Sequence, residues 1–331
     1  MMRAPKFWYN APERPGLRAR LMAPLGKLYA HATARRVARP GVKLEVPVIC
    51  IGNLNAGGTG KTPTAIAIAQ RLTARGVAVH VVSRGYGGRV EGPVRVDERA
   101  HSAAEVGDEP LLLSAFAPTW VAKDRLSGAK AAVSAGAETI LLDDGFQNPA
   151  VTKDLSIVVV DAVKGFGNGR CIPAGPLREP VEVGLKRADL VLSIGPGPSQ
   201  DEFQNRWGDV IRLPHLKGVL KPLQMGMDWA GTRVIAFAGI GHPEKFFASL
   251  REEGAEILRA VALDDHQPLT ESLMHRIEAE AKLRGAQLVT TEKDAVRLPT
   301  GIRQRVLTFP VRLELDDWQP LDRALDQLIA K

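Results

Sequence analysis

The chain has 331 residues, 45% hydrophobic and 24% charged, with a formal net charge of +7. It reads as an ordinary soluble globular protein of about two domains at ~150 residues each, and no apolar run approaches the ~18 residues of a membrane-crossing helix. Cys50 and Cys171 lie far apart with no metal-ligand spacing, so a reducing compartment is expected and a disulfide is not.

The basic residues crowd the start. Residues 1–43 hold Arg3, Lys6, Arg14, Arg18, Arg20, Lys27, Arg35, Arg36, Arg39 and Lys43 against the single acid Glu13. The opening Met1-Met2-Arg3-Ala4-Pro5-Lys6-Phe7-Trp8 lacks the apolar core of a signal peptide. Leu17, Leu21, Leu25 and Leu28 follow helical spacing among Arg14, Arg18, Lys27, Arg35 and Arg36. Pro24 and Gly26 predict two short amphipathic pieces rather than one helix. An arm of this kind fits an anionic membrane surface, an acidic substrate or nucleic acid. No zinc-finger or RNA-binding signature accompanies it, so no nucleic acid is expected. In the membrane reading the leucines lie at the headgroup boundary with Trp8 and Tyr29. The alternative packs the leucine face on the protein's own sheet.

Val48-Ile49-Cys50-Ile51-Gly52 predicts a buried strand, and the chain then runs through Asn53-Leu54 into Asn55-Ala56-Gly57-Gly58-Thr59-Gly60-Lys61-Thr62. That order, strand, glycine-rich turn, Gly-Lys-Thr and an alanine-rich helix from Pro63, is a phosphate-binding loop. Its backbone N–H groups would cradle the β-phosphate, Lys61 would reach the β- and γ-phosphates, and the Thr62 hydroxyl would sit on Mg²⁺. Asn55 stands where the usual spacing has glycine, and its tolerance of positive φ keeps the turn feasible. The chain is expected to bind a nucleoside triphosphate.

Further along, 77–82 predicts a strand feeding the turn Ser83-Arg84-Gly85-Tyr86-Gly87-Gly88, and 90–107 is polar and irregular. Gly107-Asp108-Glu109-Pro110 opens a helix through Leu113. Thr119–Ala122 is a short strand, Arg125–Ala135 a helix, and Thr139–Asp144 and Ser156–Asp161 buried strands. Alternation of this sort predicts a mostly parallel α/β sheet with helices on both faces and a ligand crevice at the strand carboxyl ends. From about Gly218 a second α/β unit begins, with a strand at Val234–Gly239, helices near 243–253 and 271–284 and a strand at 287–291. The stretch Arg305–Leu315 could pair with 219–225 as a linker. The expected organisation is a basic segment 1–43, a phosphate-loop domain 44–217, and a smaller domain 218–331 with linker strands and a C-terminal helix.

Several residues have two readings. Asp143-Asp144, about 80 residues beyond the phosphate loop, reads as the Mg²⁺-holding acids or as a polar strand end. Asp108 is either a helix N-cap or the carboxylate that orients an attacking hydroxyl. His266 in Asp264-Asp265-His266-Gln267-Pro268 reads first as a solvated loop histidine. Arg178-Glu179, after Pro173-Ala174-Gly175-Pro176-Leu177, is a surface ion pair or part of a rigid functional loop.

Taken together, these segments resemble the tetraacyldisaccharide 4'-kinases of lipid A biosynthesis. The resemblance runs through Gly52-Asn53-Leu54 with Gly57–Pro63, Val82–Gly88, Gly107–Pro110, Asp143-Asp144-Gly145-Phe146-Gln147, Phe166-Gly167-Asn168-Gly169, Pro173–Glu179, Ala238–Pro243, Asp265-His266-Gln267 and Thr291-Glu292-Lys293-Asp294-Ala295-Val296. It implies a phosphate-loop domain and a smaller α/β domain joined by a two-stranded linker. It also implies transfer of the ATP γ-phosphate, with Mg²⁺, to the 4'-hydroxyl of an acylated glucosamine disaccharide 1-phosphate. The enzyme would then be peripheral at the cytoplasmic face of the inner membrane, with no obligate protein partner. By the same resemblance Asp108 acts on the acceptor hydroxyl with help from His266, and Glu179 stands near metal and nucleotide. Where the family commonly has His after Asp-Asp-Gly-Phe-Gln, this chain has Asn148, which cannot take up charge near neutral pH.

The competing reading is a nucleotide-switch ATPase or GTPase for metal insertion or assembly. Neither an extra lysine opening the loop nor an Asn-Lys-x-Asp pattern supports it. A membrane-surface scaffold leaves Asp108, Asp143 and Asp144 without a task.

Overall fold

Val48–Gly52 is apolar at every position, as a strand covered on both faces must be, and all five residues are buried. In the computed structural model, which describes residues 4–224 and 226–330, it is the central strand of a nine-stranded sheet. Arg3 of the basic arm, Met225 of the expected linker and Lys331 fall outside the described residues. The strands are β1 (Val48–Gly52), β2 (Val79–Ser83), β3 (Val94–Arg95), β4 (Thr119–Val121), β5 (Thr139–Asp143), β6 (Leu155–Asp161), β7 (Leu190–Ile194), β8 (His215–Pro222), β9 (Arg233–Ala238), β10 (Glu256–Ala262), β11 (Gln287–Thr291), β12 (Val306–Phe309) and β13 (Val311–Leu315).

The larger sheet has the order β13-β8-β7-β6-β1-β5-β2-β4-β3. It is parallel from β8 to β4, with antiparallel partners at its two edges. Alternate residues of β1 feed opposite faces. Ile49 and Ile51 pack with Ile66, Ile68 and Leu72 of the helix Lys61–Ala74. Val48 and Cys50 pack on the other side with Ala129 and Ala132 of the helix Arg125–Ser134. The smaller sheet, β10-β9-β11-β12, is parallel throughout and is also covered on both faces. Both cysteines are buried and free.

Four readings of the sequence are corrected. Residues 17–37 form one helix, Leu17–Val37, with Pro24 inside it. Pro24 and Arg20, whose carbonyl loses its helical partner, are both exposed, so water can satisfy that group. Gly26 is a contact point rather than a break: a Cβ there would stand 2.8 Å from the Cys171 carbonyl oxygen. Second, the expected two-stranded pairing is present but shorter than the stretch Arg305–Leu315: β12 joins the smaller sheet, and β13 alone pairs antiparallel with β8, Val311 opposite Pro222 and Leu315 opposite Gly218. Third, β8, β13 and the helix Gln319–Ile329 complete the larger unit, because Leu313, Leu321, Leu325 and Leu328 pack with the core beneath the helix Lys61–Ala74. Fourth, the irregular stretch 90–107 contains β3 and the short helix Ala103–Val106. β7, β10 and the helix Gly197–Trp207 were not anticipated.

Candidate active site

β1 delivers the phosphate loop at its carboxyl end. Gly57 and Gly60 adopt φ of 120° and 96°, and the space beside Gly57 and Gly58 is open. Asn55 is not in the left-handed region, so its fitness for the site of the usual glycine has another cause. It forms a bridge with Leu177, and its Nδ2 donates to the Gly165 carbonyl at 3.0 Å. The Ala56 N–H is committed to the Pro176 carbonyl at 2.7 Å, which stitches the start of the loop to the Pro173–Glu179 segment. Asn53 Nδ2 braces the interior of the loop through the Gly57 carbonyl (3.0 Å) and Thr59 Oγ1 (3.3 Å). Lys61 and Thr62 open the helix behind it. Its N-cap, Gly60, brings no side chain, so the first helical N–H groups are available to an anion.

β5 lies beside β1, with Ile51 opposite Asp143, so the two acids end next to the loop. Lys61 Nζ stands 3.5 Å from Asp144 Oδ1. Asp144, at φ 50°, is also gripped by the Arg178 guanidinium at 3.0 Å, and its carbonyl receives Arg125 at 2.6 Å. Burial pushes its carboxyl up, but Lys61, Arg178 and Arg125 outweigh that and hold it below the ordinary range. Asp143 differs. Burial, then the Glu109 and Asp144 charges, push it up to about 7, although Lys61 and a 3.1 Å hydrogen bond from Ser83 Oγ oppose this. Its Oδ1 is buried without a hydrogen-bond partner. An orphaned oxygen in negative surroundings suits a divalent cation.

Arg178 and Glu179 do not pair with each other. Glu179 is buried and binds Arg187 Nη2 at 2.5 Å and Gln147 Nε2 at 3.0 Å. Gln147 continues to the Asn53 carbonyl at 2.8 Å, so Glu179 reaches the phosphate loop through one amide. Among the described residues no three His, Cys, Asp or Glu side chains are clustered to hold a metal. Thr62, Asp143, Asp144 and Glu179 therefore do not form an all-protein cage. Asn148 Oδ1 accepts the Ala150 N–H at 2.9 Å and its carbonyl accepts Lys153 Nζ at 2.7 Å, which makes it a turn former.

The smaller sheet closes the site. Asp108 is not the N-cap, a position held by Gly107. It is the first helical residue, with Oδ1 accepting the Glu109 N–H and Oδ2 lying 2.9 Å from His266 Nδ1. Burial raises its carboxyl, but the His266 hydrogen bond and the Lys293, His266 and Arg297 charges prevail and hold it below the ordinary range. His266 follows β10 at φ 59°, with Tyr86 5.8 Å away between ring centroids and Asp265 3.7 Å from Nε2. It is not a solvated loop residue. Lys293 to Glu109 (3.0 Å) and Lys245 to Asp161 (2.9 Å) join the two sheets at further points. Sequence reasoning missed Ser83, Arg125, Arg187, Lys293 and Arg297. Lys293 stood within a quoted motif without a role.

A phosphate loop beside strand-end acids, with an Asp of the same unit paired to a His from a second α/β unit, defines a phosphoryl-transferring enzyme of the P-loop class. The tetraacyldisaccharide-1-P 4'-kinase family model matches residues 18–330. A tetraacyldisaccharide 4'-kinase of Jannaschia sp. is 64% identical over 331 residues, 100% of each chain. That of Dinoroseobacter shibae is 64% identical over 329 residues, 99% of this chain and 98% of the relative. In three dimensions, the "apo" form of LpxK from Aquifex aeolicus in complex with ATP superposes with a TM-score of 0.74 at 25% identity, over 95% of this chain and 100% of that one. The chain belongs to the tetraacyldisaccharide-1-P 4'-kinase family, and its activity is that of an ATP-dependent lipid kinase of lipid A biosynthesis. The switch-protein reading is set aside.

Proposed function

We propose that Asp108 and His266 act together on the 4'-hydroxyl of the acylated disaccharide 1-phosphate while the phosphate loop holds ATP. The observation that carries this is the 2.9 Å contact between an ionised, buried Asp108 and His266 across the cleft. With Asp108 ionised, His266 Nδ1 carries the hydrogen and donates it, leaving the carboxylate free to accept the proton of the acceptor hydroxyl. The hydroxyl oxygen bonds to the γ-phosphorus, the bond to the β,γ-bridging oxygen breaks, and ADP leaves. Lys61 is a fixed positive charge for the β- and γ-oxygens. On binding ATP it would exchange Asp144 for phosphate, with Arg178 still compensating Asp144.

Mg²⁺ would be held by Thr62 and Asp143, with Asp144 next in the chain and Glu179 linked to the loop through Gln147, and when bound it would neutralise phosphate charge. The protein supplies few ligands, as suits an ion that keeps several waters and takes the rest from phosphates.

Peripheral attachment at an anionic cytoplasmic membrane surface is supported by the helix Leu17–Val37. Leu17, Leu21, Leu25 and Leu28 are 72%, 71%, 56% and 66% exposed, while Ala19, Gly26 and Thr33 face the protein. The leucine face is thus not packed on the sheet. Trp8 and Tyr29 are not part of it: Trp8 Nε1 donates to the Pro173 carbonyl at 2.9 Å, and Tyr29 packs against the core. No described helix is long and apolar enough to cross a membrane.

The test is the fate of labelled γ-phosphate from ATP with an acylated disaccharide 1-phosphate as acceptor. Label on the lipid in the wild type, lost with Asp108→Asn, supports the assignment. Wild-type rates in that variant, or label released only as free phosphate, would overturn it.

A further inference from the structure

β11 ends at Thr291, and the short helix Glu292–Ala295 follows. Asp294 in that turn is fully buried. One of its oxygens receives Thr291 Oγ1 at 2.7 Å, and both receive the Gly239 N–H, at 3.2 and 3.1 Å. Arg297, one helical turn on, pairs with Asp294 and spends the rest of its fork on two loops. Nη1 donates to the Gln267 carbonyl at 2.9 Å and Nη2 to the Gly239 carbonyl at 3.1 Å.

The same Gly239 carbonyl accepts the His266 N–H at 3.1 Å. The backbone on both sides of the His266 ring is therefore tied to one guanidinium. The fit is close: a Cβ at Gly239 would stand 2.8 Å from Arg297 Nη2 and 3.1 Å from the Asp264 carbonyl. His266 itself sits at positive φ, which a non-glycine residue keeps only when its surroundings impose it. Arg297 Nε has no hydrogen-bond partner and lies 3.7 Å from Asp108 Oδ2, the oxygen that meets His266.

We propose that Arg297, anchored by Asp294, is a positioning residue for the phosphoryl transfer, holding the 264–267 loop so that His266 meets Asp108 in register. This rests on the reading that Asp108 and His266 act on the acceptor hydroxyl. The planar fork reaches Asp294 and two carbonyls in different directions at once, which a lysine ammonium cannot reproduce. A displacement of about 1 Å at a reacting group costs up to roughly a hundredfold in rate, so loosening this loop is felt in kcat.

The test compares His266→Ala, Arg297→Ala, Arg297→Lys and the His266→Ala/Arg297→Ala double variant, reading kcat, KM for ATP and Tm. Arg297→Ala is expected to lower kcat roughly ten- to hundredfold with KM for ATP unchanged. Arg297→Lys should recover only a minor part of that loss, and the double variant should be no slower than His266→Ala alone. Gly239→Ala presses on Arg297 without removing a charge, and should reproduce the kcat loss if Arg297→Ala does not fold. A lowered Tm with full kcat in Arg297→Ala or Gly239→Ala overturns the proposal, as does an equal kcat loss with and without His266. If His266→Ala keeps wild-type kcat, the reading of the pair falls and this inference with it. If His266→Ala loses kcat and Arg297→Ala does not, only the present inference falls.

Discussion

His266 Nδ1 and Asp108 Oδ2, 158 residues apart in sequence, stand 2.9 Å from each other. One is carried by the loop after β10 in the smaller sheet, and the other opens a short helix packed against the larger unit. The pair exists only when the two sheets meet. Tyr86 after β2, Asp161 at the end of β6 and Glu109 beside Asp108 make further contacts across the same cleft. The acceptor hydroxyl and the γ-phosphate are thus expected to meet where the parallel strands of the two sheets oppose their carboxyl ends, the edge at which such strands offer loops and helix termini to ligands.

If Asp108 and His266 work as one unit, their losses are not additive. Each alanine variant should lower kcat far more than it weakens ATP binding, and the double variant should be little worse than the worse single. The pH profile adds a signed check. Asp108 is held below its ordinary value, facing His266, Lys293 and Arg297. Removing the His266 hydrogen bond raises it, so the acid limb of kcat/KM in His266→Ala should move to higher pH. A limb that stays in place, or additive losses, would return Asp108 to a structural role.

Lys61 carries the second prediction. It is a fixed cation between the loop and Asp144, at 3.5 Å from that carboxylate. Lys61→Ala should leave a folded protein whose turnover at saturating ATP is reduced at least roughly a hundredfold. Near-wild-type turnover would remove Lys61 from the reaction.

Much of this site was legible because its parts are local. A phosphate loop declares itself through glycines, Lys61 and Thr62 in one run, and β5 through an apolar run ending in Asp143. What escaped the sequence depends on distant packing. Pro24 sits in an exposed helix turn where water satisfies the lost bond, so a residue that usually ends a helix does not. Asn55 replaces glycine because it bridges to Leu177 and Gly165, and no spacing rule reports that. Arg297 has one local partner, Asp294, but the carbonyls that tie it to the site, those of Gln267 and Gly239, lie 30 and 58 residues away. β13 and the helix Gln319–Ile329 follow the smaller unit in sequence yet complete the larger one, since their leucines fit beneath the helix Lys61–Ala74.

That return of the chain makes a third prediction. Asp322 receives Arg71 Nε at 2.9 Å and Arg75 Nη2 at 2.7 Å, while Arg71 lies over the Trp318 ring at 4.0 Å. The Arg71 hydrogen bond is the largest influence on Asp322; burial opposes it, but Arg75 adds to it, and the carboxyl stays below its ordinary value. A depressed carboxyl contributes stability that is fully present above its unfolded value, ~3.9, and is lost as pH falls through the folded value. Asp322→Asn should therefore lower stability at neutral pH by about 1 kcal/mol, the scale of partly exposed pairs, and the two proteins should converge in acid. Denaturant midpoints at several pH values measure this, and a difference independent of pH would contradict it.

The last prediction concerns the helix Leu17–Val37. A lipid acceptor with long acyl chains does not leave the bilayer freely, and the proposed membrane docking would bring the enzyme to it at the surface. At 3.6 residues per turn, Leu17, Leu21, Leu25 and Leu28 share one face, with Arg18 and Arg36 on one flank and Arg20 and Lys27 on the other. All eight are exposed, and so is Arg14 just before the helix. Each basic residue near an anionic surface contributes about 1 kcal/mol, and the leucines add apolar burial at the headgroup boundary. The protein should therefore bind anionic vesicles in a salt-sensitive way, and charge reversal at Arg14, Arg18 and Lys27 should release it. That variant should lose activity on vesicle-embedded acceptor while keeping it on detergent-dispersed acceptor, because none of the three residues contacts the site. Vesicle binding unchanged by the reversals, or absent from the wild type at low salt, would show that this face serves another purpose.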